Sequence, residues 1–218
     1  MIKKLETKDF VNIRIVLDRS GSMGSAVKET IDSINTFIKE QQSARVNGSI
    51  TISTFDSGSI EVPIKNVLLK DMGTLDYAFL DPRGSTPLLD ALGLAINEHG
   101  NHSIEENEKK SLVIVTDGRE NASREYTNES IKKLIEEKTN EGWLIVYLGA
   151  DHDAFSQSKG IGIEYDKTLN YSKLDSVDAM RATSRKIRDY SRGVDPKTIK
   201  YENYERDESF KKKKKDQN

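Results

Sequence analysis

Oxygen-bearing side chains with a regular spacing follow the first apolar segment of the sequence. Residues 11–17 are rich in Ile and Val, as expected for a buried parallel strand, and Asp18, Ser20 and Ser22 come directly after them. One carboxylate and two hydroxyls are hard ligands, which suit Mg²⁺ or Mn²⁺ better than a soft metal. Because open α/β sheets bind ligands beyond the carboxyl ends of their strands, this loop predicts a divalent-cation site.

Two later positions offer ligands of the same kind. Thr86 precedes Pro87 at a predicted helix start, and Asp117 precedes Gly118 after a second apolar segment. Each has a simpler interpretation when taken alone, because Thr is a common helix cap and Asp-Gly is a common turn. Taken together with the first loop, in this order, they predict one metal site that is built from three loops at one edge of a sheet.

Strand-like and helix-like segments alternate along the chain. Strands are predicted at residues 11–17, 50–55, 60–64, 112–116 and 143–148, with a last edge strand after residue 165. The segments between them have the spacing of amphipathic helices. This alternation predicts an α/β fold, with a doubly wound, mostly parallel central sheet and helices on both faces. Pro63 cannot donate a ladder hydrogen bond, so residues 60–64 are predicted to form one antiparallel edge strand.

The three loops together resemble the metal-ion-dependent adhesion site (MIDAS) of von Willebrand factor A (VWA) domains. The resemblance looks closest to an intracellular bacterial and phage branch, and its motifs are residues 83–86 (Arg-Gly-Ser-Thr), 89–91 (Leu-Asp-Ala) and 116–123 (Thr-Asp-Gly-Arg-Glu-Asn-Ala-Ser). It implies a VWA fold and a complete set of metal ligands. These are Asp18, Ser20, Ser22, Thr86 and Asp117.

The resemblance also implies a function. In this family an Asp or Glu of a protein partner completes the coordination of the metal, so the chain is expected to be a non-catalytic binding module for a protein partner with an acidic residue. Mg²⁺ is the expected ion, and Mn²⁺ or Ca²⁺ are alternatives that the residues leave open.

The composition of the sequence excludes several classes of protein. The chain has 218 residues, a formal net charge of -2 and no cysteine, which excludes disulfides and thiolate metal sites. No apolar stretch is long enough to span a bilayer, and residues 1–9 lack the apolar core of a signal peptide. We therefore expect a cytoplasmic protein with a lead-in at residues 1–9, a VWA domain at residues 10–193 and a polar, flexible tail at residues 194–218.

Arginines flank the predicted metal loops. Arg19, Arg83 and Arg119 adjoin them, and Arg124 follows closely. Guanidinium groups bind carboxylates and phosphates through paired hydrogen bonds, so these residues form a hypothetical rim for an acidic peptide or a phosphorylated partner. The simpler interpretation is that exposed Arg is common on loops.

Two other functions compete with the binding module. A metal-dependent phosphoester hydrolase is one, but no histidine or clear general base adjoins the predicted site. Nucleic-acid binding is the other, through the lysine run at residues 211–215, although such a run more often only solubilises a tail. The three histidines, His99, His102 and His152, do not form a ligand cluster, and His99 and His102 are expected in a solvated loop.

Overall fold

The computed structural model describes residues 9–105, 108–150 and 153–210. Its strands and helices are β1 (Val11–Asp18), α1 (Val27–Ser43), β2 (Gly48–Asp56), β3 (Ser59–Leu68), α2 (Leu88–Asn101), β4 (Lys109–Thr116), α3 (Asn128–Asn140), β5 (Leu144–Ala150), α4 (Ala154–Gly160), β6 (Thr168–Tyr171), α5 (Ser176–Ser191) and α6 (Asn203–Glu208). They alternate along most of the chain, except that β2 is followed directly by β3 and α5 by α6.

One six-stranded sheet organises the domain, with the strand order β3-β2-β1-β4-β5-β6. The pairs β1·β2, β1·β4, β4·β5 and β5·β6 are parallel, and β3 pairs antiparallel to β2 at one edge. The fold class is therefore confirmed, including the antiparallel edge strand that contains Pro63. The sheet brings the carboxyl ends of β1 and β4 side by side, directly beneath the predicted metal loops.

Two apolar clusters cover the two faces of the sheet. One cluster joins the sheet to α1 and α5 through residues such as Phe37 and Ile187. The other joins it to α2, α3 and α4 through residues such as Leu92 and Ile131. Every residue of β1 is buried, which is the pattern of a central strand that is covered on both faces.

The segment after α5 differs from the prediction of a flexible tail. Within residues 194–210, Ile199 and Tyr201 are buried in the first cluster, and the Tyr201 hydroxyl lies 2.8 Å from that of Thr183. On α6 the buried Glu205 carboxylate forms ion pairs of 2.7 Å with Lys186 and 3.0 Å with Arg185. Residues 194–210 are thus part of the packed structure. The lysine run and the first eight residues lie outside the described residues.

Candidate functional site

The first predicted loop begins inside the sheet. Asp18 is the last residue of β1, and its side chain is fully buried. Its Oδ1 accepts a 2.7 Å hydrogen bond from the backbone N–H of Ser20, and the hydroxyls of Ser20 and Ser22 lie 3.0 Å apart. The loop therefore holds one carboxylate and two hydroxyls at a single point of the sheet edge.

The second loop lies beside the first because their backbones are hydrogen-bonded. Arg83 N–H donates to the Arg19 carbonyl at 2.9 Å, and Gly21 N–H donates to the Gly84 carbonyl at 3.1 Å. Gly84 has φ +66°, and a side chain here would collide with Ser57, so glycine suits this turn for two reasons. These bonds place the buried Thr86 next to the first loop.

Thr86 is not the cap of α2, although its sequence context suggests one. The helix begins at Leu88. Its first N–H groups are satisfied from the third loop, because Leu89 N–H donates to Glu120 at 2.9 Å and Asp90 N–H donates to the Ser123 hydroxyl at 3.1 Å. Other residues therefore cap the helix, and the Thr86 hydroxyl faces Gly118 in the third loop.

The third loop supplies Asp117, directly after β4. Its Oδ1 accepts a 2.5 Å hydrogen bond from the Ser22 hydroxyl, which joins the first and third loops. The Asn121 side chain accepts a 2.9 Å hydrogen bond from Thr86 N–H, and Asn121 N–H donates to the Thr86 carbonyl at 3.2 Å. Sequence reasoning missed Asn121 as a clamp, although it lies within the motif at residues 116–123.

Gly118 shows that Thr86 and Asp18 face the same small space. A Cβ placed on Gly118 would lie 2.9 Å from the Thr86 Oγ1 and 3.4 Å from the Asp18 Oδ2. A side chain at this position would occupy the space beside these two oxygen atoms. The absence of a side chain keeps open a cradle lined by a hydroxyl and a carboxylate, and both groups are oxygen donors of the kind that hard divalent cations prefer.

The electrostatics of the cradle favour a cation. Burial raises the pKa of Asp18 above its ordinary value, and the nearby Asp117 carboxylate adds to the rise. Hydrogen bonds from Thr116, at 2.5 Å, and from Ser20 oppose that rise. Two neighbouring carboxylates in a poorly solvated place repel each other, and a positive ion between them would relieve this cost.

A lysine that sequence reasoning missed also lies at the site. The Lys173 ammonium is 2.6 Å from Asp117 Oδ2, and it donates to the Ser22 carbonyl at 3.0 Å and the Ser25 hydroxyl at 2.9 Å. It enters from the turn after β6, at the same edge of the sheet. No local signal in the sequence links residue 173 to a loop some 150 positions earlier.

The predicted arginine rim divides into two pairs. Arg19 is buried and forms ion pairs with Asp56 at 2.7 Å and Glu61 at 2.9 Å, so the structure does not place it on the rim. Arg83 is half-exposed and turns toward the same two carboxylates. Arg119 and Arg124 are exposed, and no ion pair joins either of them to another described residue.

The histidines do not contribute to the site within the described residues. His99 is buried in α2, with its ring 5.0 Å from that of Trp143, so the expected solvated loop is wrong for this residue. His102 lies 2.8 Å from the Asn66 side chain, and His152 lies outside the described residues. In the described part of the chain, no three His, Cys, Asp or Glu side chains are grouped to hold a metal. The candidate site has two carboxylates and would depend on hydroxyls for its remaining protein ligands.

A known family of protein domains matches most of this sequence. The sequence model of the von Willebrand factor type A domain matches residues 12–184. The chain belongs to this family. No match was found among curated proteins.

Solved structures of other proteins share the fold at low sequence identity. The pilus adhesin SpaC from Lactobacillus rhamnosus GG, in an open conformation, has a TM-score of 0.66 and 16% identity over 84% of this chain and 30% of its own. The chain thus spans about a third of that adhesin. Manganese-loaded TRAP protein from Plasmodium vivax has a TM-score of 0.57 and 15% identity, with 78% of this chain and 71% of TRAP covered.

A third similar structure contains zinc. Proximal thread matrix protein 1 from the mussel byssus, with a zinc-occupied MIDAS motif, has a TM-score of 0.59 and 17% identity over 83% of this chain and 46% of its own. At these identities the three likenesses show the shared fold alone.

In the described part of this chain, no helix has the length and apolar character needed to cross a membrane.

Proposed function

We propose that this chain is a non-catalytic VWA module that binds a protein partner through a divalent cation. The observation that carries the proposal is the meeting of three loops at Gly118, where the Thr86 hydroxyl and the Asp18 carboxylate border one open cradle. Ser22 and Asp117 adjoin it through their 2.5 Å hydrogen bond. An acidic side chain of the partner would complete the coordination of the ion.

The oxygen ligands fit such an ion. Asp18, Ser20, Ser22, Thr86 and Asp117 are the residues that would hold it, directly or through water. The bound ion would supply positive charge and an open coordination position for a carboxylate. We propose Mg²⁺, with Mn²⁺ and Ca²⁺ as alternatives. The similar structures that hold manganese and zinc support a divalent ion in general.

The partner would approach over the third loop. Arg119 and Arg124 are exposed there, and Arg119 borders a cavity of about 490 Å³ whose other walls include Leu88, Gln157 and Ile161. A cation site flanked by free guanidinium groups favours an acidic peptide, because both features attract carboxylates. Arg19 and Arg83 would instead stiffen the first two loops through Asp56 and Glu61.

The deciding experiment has two stages. Calorimetric titration with Mn²⁺ alone should show saturable binding to the wild type and much weaker binding to Thr86→Ala. Thr139→Ala, the same change at the far end of α3, is the matched control and should bind Mn²⁺ normally. A wild type that binds no divalent ion would refute the proposal.

The second stage tests the partner mode. Wild type that is immobilised in Mg²⁺ should retain a protein from the cognate lysate and release it in chelator, whereas Thr86→Ala should retain none. Charge reversal at Arg119 should weaken this capture and leave Mn²⁺ affinity nearly unchanged. Retention that is equal with and without the metal would show that the partner binds elsewhere. The bacterial or phage origin and the cytoplasmic location stay predictions from the sequence.

A further inference from the structure

The Lys173 ammonium lies against one carboxylate of the candidate metal site. Its Nζ is 2.6 Å from Asp117 Oδ2, and both side chains are largely withdrawn from water, with 21% and 1% of their surfaces exposed. Two further hydrogen bonds, to the Ser22 carbonyl and the Ser25 hydroxyl, fix the ammonium to the first metal loop. This contact differs from an ordinary surface ion pair, which is solvated and weakly held.

The negative charges at the site explain why the Lys173 ammonium lies there. Asp18 and Asp117 are buried close together, and each ionised carboxylate in such a place requires compensation. Lys173 provides one positive charge at Asp117 Oδ2. A divalent ion in the cradle would compensate the same carboxylates and would repel the ammonium, because two cations would then share Asp117.

We propose that Lys173 is a built-in counter-cation of the metal site, which stabilises the metal-free protein and weakens the affinity of the site for divalent ions. The inference rests on the proposed function, since it concerns the same cradle. It assigns a role to a residue of a fourth loop, the turn Lys173–Asp175 between β6 and α5, which makes none of the proposed metal contacts.

The test compares Lys173→Met with the wild type in two measurements. Titration with Mn²⁺ should show at least about tenfold tighter binding to the variant, because a neighbouring positive charge is removed. Thermal unfolding in chelator should show a lower melting temperature for the variant, and saturating Mn²⁺ should narrow or reverse that difference. Lys173→Gln, which keeps a hydrogen-bond donor without the charge, is the second uncharged variant and should behave in the same way.

Two controls separate charge from general effects of substitution. Lys173→Arg keeps the positive charge and should bind Mn²⁺ about as weakly as the wild type. Lys28→Met removes a lysine of an exposed 2.7 Å ion pair with Asp32, and it should change neither measurement appreciably.

Each outcome decides between the two proposals. If the wild type binds Mn²⁺ and both uncharged variants bind it no more tightly, the role of Lys173 is overturned and the metal site stands. If Mn²⁺ binds only to the uncharged variants, the lysine blocks the site in the wild type, which supports the inference and refutes the metal-dependent function proposed for the wild type. If Mn²⁺ binds to none of them, the metal site is wrong and the inference falls with it.

Discussion

Replacing Gly118 by alanine should damage the metal cradle while the fold survives. The added Cβ would lie 2.9 Å from the Thr86 Oγ1 and 3.4 Å from the Asp18 Oδ2. The threonine oxygen would have to retreat by about 0.5 Å to reach ordinary van der Waals contact. That shift is large for Mg²⁺, which demands nearly ideal octahedral geometry with oxygens at about 2.0–2.1 Å.

The expected loss of metal affinity follows from the free-energy cost of overpacking. Inserting a methyl group into a well-packed place costs about 1–3 kcal/mol. If the metal-bound state carries this cost and the metal-free protein relaxes around it, affinity falls by a factor of about 5–150. Because Mn²⁺ is also a hard oxygen-seeking cation, both ions should be weakened.

Calorimetric titration with Mg²⁺ and Mn²⁺ measures this loss, and thermal unfolding in chelator measures the stability of the fold. Gly73→Ala is the matched control, because a Cβ at Gly73 meets no atom within 4 Å. It should leave metal affinity unchanged. Wild-type affinity in Gly118→Ala would refute the location of the cradle, whatever its effect on stability.

Three other predictions concern the stability of the domain. Burial lowers the pKa of His99 to about 3 in the folded protein, whereas the unfolded value is about 6.5. Between these two pH values the unfolded chain binds a proton that the folded protein does not. The free energy of unfolding should therefore fall as the pH drops from about 6.5 to about 3. His99→Phe should flatten this part of the stability–pH profile in urea titrations, and an unchanged slope would contradict the assignment. Glu205→Ala leaves the buried Lys186 ammonium without its 2.7 Å partner. It should lower the free energy of unfolding, measured in urea, by about 3–5 kcal/mol. A decrease below about 1 kcal/mol would show that the segment after α5 is loosely held. Arg19→Met leaves the buried Asp56 carboxylate short of a cation and should lower the free energy of unfolding by about 3 kcal/mol, whereas an exposed rim residue would change it little.

The fold was predictable because local patterns agree with it. Central strands such as β1 and β4 are continuous apolar runs, and the flanking helices repeat apolar residues at helical spacing. Pro63 marked the edge strand for a simple chemical reason, since it lacks an N–H. The packing of residues 194–210 was not predictable, because it depends on a few buried side chains, such as Ile199 and Tyr201, within a polar segment.

For the candidate site, the convergence of the predicted positions on one edge of the sheet was predictable, and metal binding there stays a prediction. Asp18, Thr86 and Asp117 follow recognisable local patterns, and topology brings those positions to one edge of the sheet. The direction of each arginine could not be predicted, because Arg19 turns inward only when β2 and β3 bring Asp56 and Glu61 to it. The position of Lys173 depends on the order of the strands, which places the turn after β6 at the metal loops.

Formal charge connects Lys173 with the proposed way of binding a partner. Asp18 and Asp117 contribute two negative charges when ionised, and Lys173 contributes one positive charge beside them. A divalent cation added to this set leaves one net positive charge, which a single Asp or Glu of a partner would neutralise. Without the lysine, the loaded site would be formally neutral and would attract a carboxylate less strongly. The same residue that weakens the hold on the metal therefore preserves the charge with which the loaded site would attract its partner.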